Sequence, residues 1–270
     1  MDLSLLFAGT GGSVPTARRG LPALLVRRGG EHILFDCGEG TQRQLVRSVG
    51  LPEIDAIFLT HFHADHWLGL PGMLKSFDLR ERRAPLMVCG PPGTKRLLEQ
   101  VRFVYGRLGY PFEVVEMESG DAMEFAGYEI QAFNVRHRGT AFGYALVEEE
   151  RPGRFDAELA ASLGVEPGPD FGRLQRGEGV NGVTPEQVVG PGRPGRRIVV
   201  SGDTAPCEMV ETTAAGADVL AVLTEWDDFR WLEPEKVAEV MTGRQVIDGR
   251  NLLDRSDWQR AGFAHQGLGR

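Results

Sequence analysis

Hydrophobic runs of strand length, separated by glycines and polar turns, dominate the first 150 residues. Their β-branched and aromatic side chains are typical of buried or half-buried strands, and segments of helical spacing stand between them. The predicted strands are 3–9, 22–28, 32–38, 55–61, 84–90, 128–137 and 141–150, and the predicted helices are 40–50, one beginning near 68, and 93–109. Meandering strands with interspersed helices predict an α/β protein in which a sandwich of sheets is covered by helices.

The pattern changes over residues 151–197, which are dense in Gly and Pro and contain one short amphipathic piece at 156–164. So long an insertion in a compact domain is usually a functional arm, a lid or a disordered link, and a mobile surface loop is the alternative. Regular alternation then returns, with predicted strands at 196–203, 217–226, 244–250 and 265–270 and predicted helices at 233–241 and 254–262.

Charge does not decide what the protein binds. The net charge is −8, yet residues 1–110 hold 14 basic against 10 acidic side chains and residues 111–270 hold 16 against 28. The overall balance argues mildly against a nucleic-acid partner, but a phosphate-rich substrate can meet a locally basic face or metal ions.

Three widely spaced cysteines, Cys37, Cys89 and Cys207, form no CxxC pair, so we expect neither a disulfide framework nor a thiolate zinc site. The first residues read as a strand and not as a signal peptide, and no apolar run approaches the ~18 residues that a bilayer requires. We therefore expect a cytoplasmic protein with no membrane segment.

The segment LTHFHADH at 59–66 carries the strongest chemical signal, because three imidazoles and a carboxylate follow an apolar strand within six positions. Neutral imidazole and carboxylate suit zinc and similar ions without any thiolate. Alternation directs His61 and His63 the same way, and a turn brings Asp65 and His66 to the opposite side of one pocket. A chance cluster of surface histidines is the alternative, which the preceding buried strand disfavours.

His137 and Asp203 each stand at the end of a predicted strand. A lone His or Asp in that position is more often a turn or cap residue. Beside the HxHxDH run, however, both are expected to converge on the same rim as further metal ligands, and Asp203 has two oxygens with which to bridge two ions.

The HxHxDH run resembles the metallo-β-lactamase superfamily, and the order of several blocks narrows the resemblance to the ribonuclease Z family. These blocks are FAGTGGSVPTARRG, ILFDCGEGTQRQL, LTHFHADHWLGLPGML, PGRFDAELAASLGVEPGPDFGRLQRGEGV and VVSGDT. The resemblance covers residues 1 to about 215 and implies a four-layer αββα sandwich, with residues 1–213 as the catalytic domain.

For function, the resemblance implies removal of the 3′ trailer from precursor tRNA, leaving a 3′-hydroxyl. It assigns His61, His63 and His137 to one zinc ion and Asp65 and His66 to a second, with Asp203 bridging. Asp65 is also the implied proton acceptor. The arm, residues 151–195, is expected to grip the tRNA elbow on the partner subunit of a homodimer.

Residues 214–270 depart from that family and resemble the C-terminal end of UDP-glucose dehydrogenase instead. TEWDDF, VIDGRN and AGFAHQGLGR carry this second resemblance. The nucleotide-binding part of that enzyme is missing, so we expect no dehydrogenase activity and no nicotinamide cofactor. Two joined genes are implied, and a genuine recombination and an error of assembly would leave the same sequence.

The exchanged C-terminus lacks the late zinc-binding histidine expected of ribonuclease Z, and His265 is the single later histidine. We therefore expect weaker metal binding at the Asp65/His66 site. Asp248 ends a predicted strand near the place of the lost histidine. We expect it to be a solvated turn aspartate, and a substitute metal ligand is the less favoured interpretation. Two other functions stay open: hydrolysis of small esters by another member of the superfamily, and an inactive metal-binding or tRNA-binding remnant.

Overall fold

The computed structural model describes residues 2–222 and 227–268. The chain forms two compact units: the first comprises Met1–Ala122, Gln131–Ala145 and Ile198–Arg270, and the second comprises Met123–Ile130 and Leu146–Arg197.

A six-stranded sheet with strands in sequence order forms the base of the first unit. Its strands are β1 (Leu3–Gly9), β2 (Ala23–Arg28), β3 (Glu31–Phe35), β4 (Ala56–Phe58), β5 (Leu86–Gly90) and β6 (Phe112–Glu116). The pairs β1–β2 and β2–β3 are antiparallel, whereas β3 to β6 pair in parallel. Parallel strands end at the same edge, so the loops that follow β3 and β4 emerge side by side.

Five helices connect the strands of this sheet: α1 (Thr41–Val49), α2 (Ala64–Trp67), α3 (Leu70–Leu79), α4 (Thr94–Gln100) and α5 (Arg102–Tyr105). Apolar side chains of α1, α3 and α4 pack with those of the sheet in one buried cluster that includes Leu45, Leu74 and Leu98. Trp67, at the end of α2, packs against this cluster and donates from Nε1 to the carbonyl of Phe62. It therefore connects the histidine run to the core.

A second sheet has four strands in the order β10, β9, β8, β7, namely β7 (Ala122–Phe125), β8 (Tyr128–Asn134), β9 (Phe142–Glu148) and β10 (Arg197–Val200). Within the first unit, Tyr144 of β9 joins the two sheets. Its ring lies 5.9 Å from Phe35 and 5.1 Å from Phe58, and its hydroxyl donates to the carbonyl of Leu59 over 2.8 Å. This contact confirms the predicted sandwich of sheets.

A third, parallel sheet with the order β11, β12, β13 forms the C-terminal part of the first unit. Its elements are α9 (Glu208–Ala214), β11 (Val219–Val222), a 3₁₀ helix (Asp227–Trp231), α10 (Pro234–Val240), β12 (Gln245–Asp248), α11 (Arg255–Arg260) and β13 (Ala264–Gly267). Trp258 and Phe263 pack edge to face inside its apolar cluster, with ring centroids 5.0 Å apart.

The Gly/Pro-rich segment of the second unit is folded, and not a mobile loop. It contains the short helices α6 (Ala157–Ser162), α7 (Pro169–Gln175) and α8 (Pro185–Val188). Ala160, Val165, Leu174, Val180 and Val188 are almost fully buried in a small cluster of their own. The sequence indicated only the first of these helices.

Most predicted elements are present with shorter bounds, and a few predictions are wrong. The helix expected at 93–109 breaks at Val101 into α4 and α5, and strands β6 and β7 were not predicted. The strand expected at 217–226 is observed as β11, while residues 223–226 of that prediction, with part of the TEWDDF piece, lie outside the described residues. Within the part of the chain described, no helix has the length and apolarity needed to cross a bilayer.

Phe58→Ala is expected to lower the free energy of unfolding by about 3–5 kcal/mol, since it removes a fully buried ring that touches both Phe35 and Tyr144. Phe103→Ala is the matched control, because Phe103 is 87% exposed and its loss should change stability by no more than about 0.5 kcal/mol. Urea unfolding followed by circular dichroism measures both, and equal losses in the two variants would contradict this packing.

Candidate metal centre

The histidine run occupies a loop and one helical turn at the edge of the six-stranded sheet. Strand β4 ends at Phe58, so His61, which the sequence predicted as the last residue of this strand, stands with His63 in the loop beyond it. Asp65 and His66 follow on α2, whose single turn begins at Ala64. The four side chains therefore come from a loop and from the helical turn that follows it.

Two overlapping groups of potential metal ligands result. His61, His63 and His137 form the first group and His61, His66 and Asp203 the second, and within each group the ligand atoms lie within 4.8 Å of one another. Asp65 stands at the side of the second group, with Oδ2 3.7 Å from Nε2 of His66. All six predicted residues thus meet at one rim, although His61 belongs to both groups and Asp65 to neither.

Hydrogen bonds between distant loops bring His137 and Asp203 to this rim. The backbone N–H of Arg136 donates to Thr204 Oγ1 over 3.1 Å, and the N–H of Ala205 donates to the Arg136 carbonyl over 2.8 Å. Gly202 adopts a φ of 62°, and a Cβ placed there would come within 2.9 Å of the Thr60 side chain. A glycine is required at this position, because it lets the Asp203 loop pack directly on the histidine loop.

Asp36 is a buried acidic residue of the site that the sequence analysis did not single out. Its Oδ2 lies 2.7 Å from Nδ1 of His66, and its Oδ1 accepts from the backbone N–H of Thr60 over 2.8 Å. The Thr60 hydroxyl also contacts both carboxylate oxygens, at 3.0 and 2.9 Å. Asp36 directly follows a buried strand, in the segment FDCG, and this position could have marked it as a candidate site residue.

The Asp36 contact fixes how His66 faces the pocket. A carboxylate held at Nδ1 orients the ring and leaves Nε2 pointing at the ligand group, which is a common support for metal-binding histidines. Asp36 itself has a φ of 57°, a left-handed conformation that aspartate tolerates better than most residues. The local backbone is thus shaped to aim this carboxylate at Thr60 and His66.

The electrostatics of the pocket separate the histidines. Burial together with the neighbouring His66 lowers the pKa of His61 to about 3. Burial also acts to lower the pKa of His66, but Asp36 and Asp203 outweigh it and raise that pKa to about 10. Burial and His63 lower the pKa of His137, while His66 overcomes the effect of burial on Asp203 and lowers the pKa of that carboxyl.

The donor set fits a divalent metal ion. Nε2 of His61, Nε2 of His66 and Nδ1 of His137 are buried and have no hydrogen-bond partner within the protein. Buried polar atoms are rarely left without a partner, so three of them around one rim indicate a missing ligand of opposite character. Imidazole nitrogen with carboxylate oxygen is the donor set of zinc and related ions.

The glycine-rich loop after β1 serves the site as a tight turn, and not as a phosphate loop. The backbone N–H of Ser13 donates to Asp65 Oδ2 over 2.8 Å. The loop is closed by the Gly11 N–H, which donates to the Gly20 carbonyl over 2.7 Å. The backbone of this turn therefore contacts the Asp65 carboxylate directly.

Asp248 is fully buried at the end of β12, so the prediction of a solvated turn aspartate was wrong. Its carboxylate accepts from the backbone N–H groups of Arg250 and Leu253 over 3.0 and 2.8 Å, and Oδ2 lies 3.7 Å from Nε2 of His265. Among the described residues, neither Asp248 nor His265 belongs to a potential ligand group. No replacement for the late histidine is therefore found among the described residues of the C-terminal sheet.

At the base of the arm, within the second unit, a bidentate ion pair holds the two chain segments together. Arg196 donates from Nε and Nη2 to the two carboxylate oxygens of Glu148 over 2.7 and 2.6 Å. Further out, Arg151 and Arg193 form a β-bridge. A Cβ on Gly153 would come within 1.7 Å of the Gly190 carbonyl, so glycine permits the two backbones to approach this closely.

Comparison with known proteins agrees with this geometry. The family model described as "Metallo-beta-lactamase superfamily" matches residues 19–238. Human tRNase Z, short form (ELAC1), has the same fold, with a TM-score of 0.63, 21% sequence identity, and coverage of 98% of this chain and 96% of that one. Zn²⁺-bound PqqB from Methylobacterium extorquens is similar in fold at a TM-score of 0.59 and 15% identity, covering 100% and 99% of the two chains.

Two relatives of higher sequence identity are both named ribonuclease Z. Ribonuclease Z of Methanosarcina acetivorans is 46% identical over 224 residues, which cover 81% of this chain and 73% of that protein. Ribonuclease Z of Myxococcus xanthus is 47% identical over 232 residues, covering 84% of this chain and 76% of that protein. Sequence, fold and ligand geometry therefore agree that the chain belongs to the metallo-beta-lactamase superfamily and, within it, to the ribonuclease Z family.

Proposed function

We propose that this protein is a zinc-dependent endoribonuclease that removes the 3′ trailer from precursor tRNA by hydrolysis and leaves a 3′-hydroxyl. The convergence of five His and Asp side chains into two overlapping ligand groups, with Asp65 beside the second group, carries this proposal. The relatives at 46–47% identity are named for this activity, which supports the choice of substrate within a superfamily of many hydrolases.

In the proposed site, His61, His63 and His137 would hold one zinc ion, Asp65 and His66 would hold a second, and Asp203 would be a ligand shared by both. When bound, such a pair of ions lowers the pKa of water toward ~7 and neutralises charge on a phosphodiester. His61 belongs to both ligand groups, so its loss would disturb both positions.

The side chains and backbone of the protein accept the proton and orient the ligands. Asp65 accepts the proton of the attacking water, and the Ser13 N–H keeps Oδ2 of Asp65 turned toward the pocket. Asp36 holds the His66 ring so that Nδ1 is engaged and Nε2 is free to ligate. His63 is exposed whereas His61 and His66 are buried, so one side of the pocket is open to a large substrate.

The arm, residues 151–195, is proposed to bind the tRNA at a distance from the scissile bond, in a homodimer whose partner performs the cleavage. Its own apolar cluster and its ion-paired base support this, because a preformed module loses less entropy on binding than a disordered link.

Residues 214–270 are proposed to descend from a UDP-glucose dehydrogenase-like gene, with 213/214 as the boundary. A parallel strand–helix–strand sheet with its own apolar cluster supports a separate origin, although the superfamily match extends to residue 238. No nicotinamide cofactor is expected. The second metal site, to which no described residue of this segment contributes a ligand, is expected to be the weaker one.

A cytoplasmic location accompanies this proposal. Precursor tRNA is processed where it is made, and the three cysteines are free, with Cys37 and Cys89 buried. Burial raises the pKa of both thiols, which keeps them protonated and unreactive.

His61→Ala is expected to abolish tight metal binding and to lower precursor tRNA cleavage by more than about 100-fold, beyond the loss typical of a residue that only supports a ligand. The reason is that His61 belongs to both ligand groups. Metal content after dialysis and gel-based cleavage are the two measurements. His32→Ala, a half-buried histidine outside both groups, is the control and should keep both properties. Full metal content in His61→Ala would refute the ligand assignment.

Asp36→Asn is expected to lower metal affinity or kcat about 10–100-fold, the usual cost of removing a carboxylate behind a ligating histidine. The substitution keeps the shape of the side chain but loses the charge-assisted bond to His66 Nδ1. Competition with a metal-binding dye measures the affinity. Asp55→Asn, at an exposed carboxylate that accepts only a backbone N–H, is the control. An unchanged affinity and kcat in Asp36→Asn would show that His66 needs no such support.

Removal of residues 154–189, with Gly153 linked to Gly190 by two glycines, is expected to lower kcat/KM for precursor tRNA about 100-fold or more, because two linked binding sites give a gain of that size over one. The ligand residues lie outside this segment, so metal content and hydrolysis of a small phosphodiester should be retained. Equal activity of the truncated and full chains on both substrates would favour a small-ester hydrolase instead. Metal binding without hydrolysis of either substrate by the full chain would indicate an inactive remnant.

A further inference from the structure

The side chain of Arg19 ends on two backbone carbonyls of the C-terminal sheet. Nη1 donates to the carbonyl of Gly249 over 2.7 Å, and Nη2 donates to the carbonyl of Leu268 over 3.1 Å. Gly249 directly follows β12 and Leu268 directly follows β13, so the guanidinium spans the ends of two neighbouring strands. A planar fork of N–H groups suits two fixed acceptors better than a single ammonium does.

The two carbonyls are themselves fixed. The N–H of Gly249 donates to the carbonyl of Val222 over 2.8 Å, and the N–H of Leu268 donates to the carbonyl of Asp248 over 3.0 Å. Asn251 donates from Nδ2 to the same Leu268 carbonyl over 3.1 Å. Arg19 therefore contacts an ordered sheet edge and not a loose terminus.

The backbone of Arg19 belongs to the loop of residues 10–20, which is held by few other contacts. The Thr16 N–H donates to the Arg19 carbonyl, and the Arg19 N–H donates to Thr16 Oγ1, both over 3.0 Å. Residues 13–18 are exposed, so apolar burial does not hold this part of the loop in place. Its order depends on hydrogen bonds at its base and on the anchored Arg19 side chain.

At the tip of this loop, Ser13 adopts a strained conformation that matters for the site. Its φ is 49°, and the N–H of Val14 donates to the carbonyl of Gly12 across it, forming a tight three-residue turn. Such a turn at a non-glycine residue is strained and persists only where the surroundings enforce it. In this conformation the Ser13 N–H reaches Asp65 Oδ2.

We propose that Arg19 is a positioning residue through which the C-terminal sheet fixes the 10–20 loop and thereby the orientation of Asp65. The inference rests on the proposed role of Asp65 as proton acceptor. It gives residues 214–270 a task in the reaction: none of the described residues of this segment belongs to a potential ligand group, but two of its backbone carbonyls accept the hydrogen bonds that hold the loop.

Arg19→Ala is expected to lower kcat for a small phosphodiester about tenfold, with KM changed less than about twofold, as for a residue that supports a catalytic group without touching the substrate. Arg18→Ala is the matched control, because Arg18 is the adjacent, exposed arginine and should leave both constants unchanged. Guanidinium at millimolar concentration should restore part of the kcat of Arg19→Ala, whereas an equal concentration of NaCl should not.

Amide hydrogen exchange of the full chain gives a readout that does not depend on activity. Exchange should rise over residues 10–20 in Arg19→Ala and stay unchanged in Arg18→Ala. Arg19→Lys, which should fold readily and keeps only one strong donor group, is expected to show an intermediate loss of kcat and intermediate exchange.

Unchanged exchange over residues 10–20 in Arg19→Ala and Arg19→Lys, or a kcat loss that Arg18→Ala shares, would overturn the proposal. If the unsubstituted protein hydrolyses neither precursor tRNA nor the small phosphodiester, the proposed function fails. The exchange measurement still decides in that case whether Arg19 orders the loop.

Discussion

The carboxylate of Asp36 is the contact on which the geometry of the metal centre depends. It accepts from Thr60 and engages His66, so it joins the loop that follows β3 to the histidine run that follows β4. A buried charge is tolerated only where hydrogen bonds satisfy it, so these contacts must form together for the sheet edge to close. The parallel register that pairs Phe35 with Phe58 places Asp36 beside the next loop and makes this possible.

Much of the fold and of the site could be predicted from the sequence, because the signals were local. Strand alternation and the turn residues predicted nearly every strand of the first sheet. The HxHxDH run predicted metal binding from only a few adjacent positions. Asp36 and Arg19 were missed for a common reason. Each acts through a partner that is distant along the chain, at His66 and at Gly249 and Leu268, and neither pattern nor composition shows which strand ends become neighbours.

The arm shows why composition was a poor guide to order. Glycine and proline usually mark flexible chain, yet here they accompany three helices too short to form alone, which are stabilised by packing around Leu174 and Val188. Gly153 lets two backbones come into direct contact at the base of the arm. A residue type that weakens isolated structure can thus permit a close tertiary contact, and only the folded chain distinguishes the two roles.

The same distinction between local sequence and tertiary contact applies to the C-terminal segment. Two of its backbone carbonyls accept from Arg19, and every residue type presents a carbonyl. Arg19 therefore requires strand ends at the correct spacing, and does not require a particular sequence there. A metal ligand is different, because it demands a specific side chain at a specific place. A segment whose described residues offer no metal ligand can consequently still hold the loop, which separates the support of Asp65 from the affinity for the ion.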